Sequence, residues 1–350
     1  MAVRTTLSLL AVLALGVTPG AAPRDPARSF LQTAFKLSSG EIDRVDKGEV
    51  VARTLDVAHR REIATLGVVR IAVAPSVYVE RLRDIATFKR TDDVLQIGTF
   101  GVPAQLTDLD ALTLDEGELR RLRECEVENC GLRLSAEGIE RFRRGVDWSA
   151  SDSSRRATGL MRQILVEYVT RYRDAGGAAA MEYADTSARL NVGREFASLV
   201  DADSGTWRHA AGLRRHLLEY PAVDHDATTS DFVYWSSERV HGQPTMTITH
   251  VAIAQIPGES PVNYAIASKQ IYAMHYYDAS LGLTLLVRDP AGSPATTYVV
   301  YLNRSRIDLF DGVLGGAVRR IVARRARGIV SEQLARLQRT LVETRAARSR

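Results

Sequence analysis

Between residues 231 and 302, runs of β-branched and aromatic residues alternate with short turn sequences, and this stretch constrains the fold more than any other. The runs are 231–235, 245–253, 264–277, 281–287 and 297–302, with turn residues at Pro257-Gly258 and across 290–294. Runs joined by turns this tight pair as an antiparallel meander, because parallel neighbours need crossovers of roughly a dozen residues. One long amphipathic helix is expected next, over 308–344. Leu314, Val318, Ile321, Val322, Val330, Leu334 and Leu341 hold its apolar stripe, while Arg319, Arg320, Arg324, Arg325, Arg327, Arg336 and Arg339 take other faces. A one-sided sheet and a striped helix must bury those surfaces against something.

Upstream, the β-branched runs 50–55 and 68–73 predict two strands, and Pro75-Ser76 opens a helix with Tyr78, Leu82 and Ile85 on one face. The pattern over 103–220 is helical. Asp115 and Glu118 have capping-box spacing, and 154–175 carries Met161, Ile164, Leu165, Tyr168, Val169 and Tyr172 at helical intervals before Gly176-Gly177. A further helix over 207–220 stops at Pro221. The chain divides into an N-terminal leader over 1–22, a segment over 23–48, first strands and helix over 49–100, a helical insertion over 101–225, and meander plus long helix over 226–345.

The leader has Arg4, an apolar run over 7–17 and small residues over 18–22, the pattern of a secretory signal peptide. Its apolar core is too short to cross a bilayer, which takes about 20 helical residues. Export to the periplasm or beyond is the expectation, and in such an oxidising compartment Cys125 and Cys130, the two cysteines of the chain, form a disulfide. Neither cysteine has the partners for a zinc set, and Gly131 stands where a c-type haem would need histidine. Net charge is only +4 and gathers at the C-terminal end. With export, that argues against nucleic acid as a partner and leaves an anionic membrane surface as an alternative to a solvated arginine face.

Residues 68–74 leading into 75–88, and 297–302 leading into 310–341, follow the element order of START-like, or helix-grip, proteins, and the chain resembles that superfamily in this order. The resemblance implies an α+β fold in which a curved antiparallel sheet grips the C-terminal helix around an apolar cavity, here with the large helical insertion. It implies binding or transfer of a lipid, sterol or similar apolar molecule. It also implies that 303–308 is a polar turn handing the last strand to the helix.

Tyr234 and Trp235 on the first strand of the meander, and Leu314, Val318 and Ile321 on the helix, are the expected apolar contacts. His250, Lys269, Tyr272 and His275 are the expected polar ones. Two-residue alternation puts Lys269, Ile271, Ala273 and His275 on one face, and Ser268, Gln270, Tyr272, Met274 and Tyr276 on the other. None of the seven histidines has metal-ligand spacing on a helix, and there is no phosphate loop, dinucleotide fingerprint or nucleophile elbow. No metal, cofactor or catalytic set is therefore expected. The leading expectation is an exported binding protein for an apolar ligand. Its rivals are an enzyme using the same cavity through His275, Lys269, Tyr272 or His250, and an envelope structural or interaction protein with no ligand.

Overall fold

A computed structural model describes residues 25–202, 204–221, 229–240, 242–258, 260–289, 296–310 and 315–348. The leader over 1–22 lies outside these residues. Two helices come first, α1 (Pro26–Phe35) and α2 (Ser39–Asp46), each capped by the side chain before it, Asp25 and Ser38. Strands β1 (Val51–Leu55) and β2 (Glu62–Ile71) follow, then α3 (Pro75–Arg83), α4 (Ile85–Phe88) and β3 (Val94–Phe100). The insertion contains α5 (Glu116–Glu124), α6 (Ala136–Gly145), α7 (Ser153–Ala175), the short strands β4 (Glu182–Tyr183) and β5 (Leu190–Asn191), α8 (Val192–Asp201), α9 (Ser204–Trp207) and α10 (Ala211–Glu219). The meander is β6 (Thr229–Val240), β7 (Gln243–Gln255), β8 (Val262–Ala273), β9 (Tyr277–Asp289) and β10 (Thr296–Ile307), and α11 (Gly315–Arg348) ends the fold.

Eight strands form one sheet in the order β1-β2-β10-β9-β8-β7-β6-β3. The last strand closes on β2, and β3 caps the far edge by pairing with β6. The fold is α+β, an antiparallel sheet with the C-terminal helix laid across it. Because β3 and β6 are neighbours, the whole insertion is an excursion between two adjacent strands.

The central strands bury side chains on both faces. One face carries Val69, Ile71, Val251, Ile253, Ile266, Leu286 and Val299, covered by Tyr78, Val79 and Leu82 of α3 and by Val330, Leu334 and Leu341 of α11. The other face is covered in two patches. Helices α1, α2, α8 and α10 pack on Leu66, Val68, Leu281, Leu283 and Leu285, while α5, α6 and α7 pack on Val233, Trp235, Ile248 and Tyr272. The insertion therefore lies on the face opposite α11. Arg306 of β10 holds α8 there through Glu195 (2.7 Å) and Ser198 (2.8 Å).

Several local expectations are corrected. The run 264–277 is not one strand: β8 ends at Ala273, and residues 274–276 turn the chain, with Tyr276 at φ 63°. The stretch 303–308 is not a turn, since β10 stays paired through Ile307. Its arginines are buried in ion pairs with neighbouring elements, Arg304 with Glu62 of β2 at 2.6 Å and Arg306 with Glu195 of α8, so charge there does not signal solvent. Strand β3 has no counterpart in the sequence reading, and the helix expected over 207–220 is split into α9 and α10. Cys125 and Cys130 are joined as a disulfide at the end of α5. Among the described residues no helix is long and apolar enough to cross a membrane.

Contact between α11 and the sheet depends on Gly67. A Cβ built there would lie 2.5 Å from both Val330 Cγ1 and Leu334 Cδ1. Gly67→Ala is expected to lift α11 off β2 and destabilise the protein by about 1–3 kcal/mol, the usual cost of overpacking a filled interface. Urea unfolding of the two proteins measures it.

Candidate functional site

On the α11 side, the middle of the sheet is lined differently from its ends. Ser268 of β8, Ser280, Gly282 and Thr284 of β9, and Tyr301 and Asn303 of β10 share this face. Ser268, Ser280, Tyr301 and Asn303 stay half-buried although their strands have neighbours on both sides. The residues beside them that point the other way, Ala267, Leu281, Leu283 and Leu302, are buried to 3% exposure or less. Serine and glycine cover less of the face than leucine does, and these residues form a mildly polar strip between α11, over β1 and β2, and the α3/α4 end of the sheet. Apolar clusters bound it, with Ile266, Leu286 and Val299 on one side and Ile63, Ile307 and Phe310 on the other. Tyr234 borders it with Lys89, whose Nζ lies 5.4 Å over the Tyr234 ring and 2.6 Å from Glu238. Gln270 shares this face, and its buried Nε2 has no hydrogen-bond partner.

The opposite face carries the densest set of titratable groups. His250 of β7 and Lys269 of β8 are direct cross-strand partners, and Asp231 of β6 points to the same side, two residues before Val233, the partner of His250. Helix α10 brings His216, whose Nε2 is 3.3 Å from Asp231 Oδ2, while His250 Nε2 is 3.7 Å from Oδ1 of the same carboxylate. Tyr172 of α7 places its hydroxyl 2.8 Å from His250 Nδ1, and its ring stacks on Tyr220. The group lies where the two apolar patches of this face meet: Tyr172 belongs to one, and Leu217 and Phe196 to the other.

Lys269 is 4% exposed and donates to Leu217 O at 2.9 Å, with its ammonium 4.8 Å over Phe196 and 5.4 Å over Tyr172. Burial alone pushes its pKa down to about 8. Burial also lowers His250, against the pull of Asp231, which keeps it neutral at physiological pH. Burial works to raise Asp231, but the two imidazoles outweigh it and hold the carboxylate below its ordinary range.

The predicted contact set is thus split by the sheet. Tyr234 is on the α11 face; Trp235, His250, Lys269 and Tyr272 are on the other. Trp235 is a core anchor, fully buried, donating through Nε1 to Asp108 O at 2.9 Å. Tyr272 reaches the same side as Lys269 because the pairing register with β7 slips at Ile271, which reverses the expected alternation. Its hydroxyl donates to Arg133 O at 3.0 Å. His275 is on no strand face. It lies in the β8–β9 turn beside a cleft of about 420 Å³ lined also by Arg133, Asp185 and Asp308, and burial with Arg121 and Arg133 lowers it to about 4. Arg133 there bridges Asp278 at 2.7 Å and Asp308 at 2.8 Å. Val318 is half-buried against Ile63, Ile307 and Phe310, but Ile321 is 68% exposed. Leu314 lies outside the described residues.

His216, Asp231 and Tyr172 were missed because no local spacing links a helix, a strand and a second helix. One signal was present: Asp231, Val233 and Trp235 share a face by alternation, and an acidic residue in line with two buried ones needs a partner.

The strand order and the long final helix are those of an α+β helix-grip architecture. The chain matches no protein-family model and no curated protein. A solved START superfamily protein from Mycobacterium smegmatis is similar at 18% identity and a TM-score of 0.23, over 32% of this chain and 66% of that one.

A lysine held at about 8 has its charged form disfavoured by folding at every pH below that value. The penalty is full at every pH below about 8 and falls as pH rises from there, vanishing only above the free-lysine value near 10.4, where both states are neutral. Lys269→Met is therefore expected to raise the melting temperature at pH 7, with the gain shrinking by pH 10. Calorimetry at the two pH values tests it.

Proposed function

We propose that this protein is an exported carrier that binds one amphipathic lipid, sterol or similar molecule in a hollow between the sheet and α11. The observation that carries the reading is the half-buried row Ser268, Ser280, Tyr301 and Asn303 in the middle of the sheet, on strands whose adjacent residues on the other face, Ala267, Leu281, Leu283 and Leu302, are buried. Apolar clusters at both ends suit a hydrocarbon body. The unpartnered Gln270 amide, with Tyr301 and Asn303, suits a hydroxyl or carbonyl that has left water, since buried polar groups left unpaired cost about 1–3 kcal/mol. Export is supported by the leader pattern over 1–22 and agrees with the Cys125–Cys130 disulfide. Helix α11 exposes Arg320, Arg324 and Arg325 beside Ile321, a surface suited to anionic lipid during loading or delivery.

Native mass spectrometry after incubation with a membrane lipid extract tests the reading. A one-to-one lipid adduct is expected with the wild-type chain. Ser268→Phe, which fills the hollow, should weaken it at least tenfold while leaving the melting temperature within a few degrees. Absence of any adduct, or an adduct unchanged in Ser268→Phe, overturns it.

A further inference from the structure

We infer that His216, Asp231 and His250 form a binding site for one divalent transition-metal ion, on the face of the sheet opposite α11. One ligand atom from each lies within 4.8 Å of the others. Both imidazoles aim Nε2 at the same carboxylate, at 3.3 and 3.7 Å from its two oxygens. A tetrahedral ion with bonds of about 2.0–2.1 Å separates its donors by roughly 3.4 Å, so an ion between these three groups needs only small side-chain adjustments.

Two observations favour a ligand here over a closed hydrogen-bond network. His250 is fully buried, and its Nε2, aimed into the cluster, has no hydrogen-bond partner; 3.7 Å to Asp231 is too long for one. Its other nitrogen is occupied, with the Tyr172 hydroxyl 2.8 Å from Nδ1. When Nδ1–H donates to that oxygen, the Nε2 lone pair is left pointing at the site, the arrangement by which outer partners orient metal-ligating histidines. Tyr220 walls the imidazole at a ring separation of 4.7 Å. Lys269 is not a member of the donor set, because its ammonium is committed to Leu217 O.

The donor types select the ion. Two imidazoles and one carboxylate suit Zn²⁺, Fe²⁺ or Co²⁺, whereas Ca²⁺ and Mg²⁺ prefer all-oxygen shells. Three protein ligands leave coordination positions free, and the Asp231 side chain is 22% exposed, so water reaches the site from the carboxylate side. The three ligands come from α10, β6 and β7, and a bound ion would tie the insertion to the sheet.

The test uses the full mature chain stripped with a chelator and titrated with Co²⁺, read by visible absorption, and with Zn²⁺, read by calorimetry. One equivalent of each is expected, with the intense Co²⁺ bands of four- or five-coordination and a rise in melting temperature on adding Zn²⁺. His250→Ala and Asp231→Asn should abolish the bands. Tyr172→Phe keeps the aromatic packing and covers the case in which those variants misfold; it should weaken Co²⁺ affinity about 10–100-fold. A wild-type chain that binds neither ion, one whose Co²⁺ spectrum remains that of the hexa-aqua ion, or unchanged affinity in Tyr172→Phe overturns the inference.

Discussion

The rest of the structure depends on a sheet that is apolar on both faces. Strand β2 is buried at nine of its ten positions, and β9 and β10 follow it closely. Antiparallel sheets commonly leave one face to water, and this one cannot. A single helix covers only a narrow strip, so α11 and α3 dress one face while the other requires a whole layer. The N-terminal helices and the insertion supply that layer. The insertion is therefore a structural half of the domain, and its ties to the strands through Arg306, Trp235 and Tyr272 are what a covering layer needs.

Two-sided burial also separates two kinds of chemistry. On the α11 side the middle strands carry serine, glycine, threonine and asparagine, a mildly polar strip in an otherwise apolar face. On the other side the seam between two apolar patches holds a lysine, two histidines and an aspartate, each costly to dehydrate. A core built for stability alone would place leucine or methionine there, as the depressed Lys269 shows. Residues that disfavour folding where they stand are candidates for function.

Much of the architecture is legible in the sequence. Turn residues and β-branched runs located the meander, Asp115 and Glu118 marked the start of α5, and the stripe over 154–175 marked α7, because all of these are local signals. Strand β3 was not legible: its seven residues include Gln96, Gly98 and Thr99, and only pairing with β6 makes them a strand. The faces of Lys269 and Tyr272 were misread because alternation assumes an unbroken ladder, and the register slip at Ile271 is made by the pairing of two strands. His275 was assigned to a strand that the turn at Tyr276 ends first.

The sequence by itself determined the class of fold, the long final helix and the cysteine pair, since period, capping and turn chemistry act over a few residues. It also supplied His250 and Lys269 as polar residues on neighbouring strands. Only the tertiary structure decided that these two point away from α11, that His216 and Asp231 join them from elements far apart in the chain, and that the insertion covers the opposite face. The reason is physical: a strand's facing depends on every residue of register before it, and a cluster gathered from a helix and two strands exists only once the layers that carry them are packed.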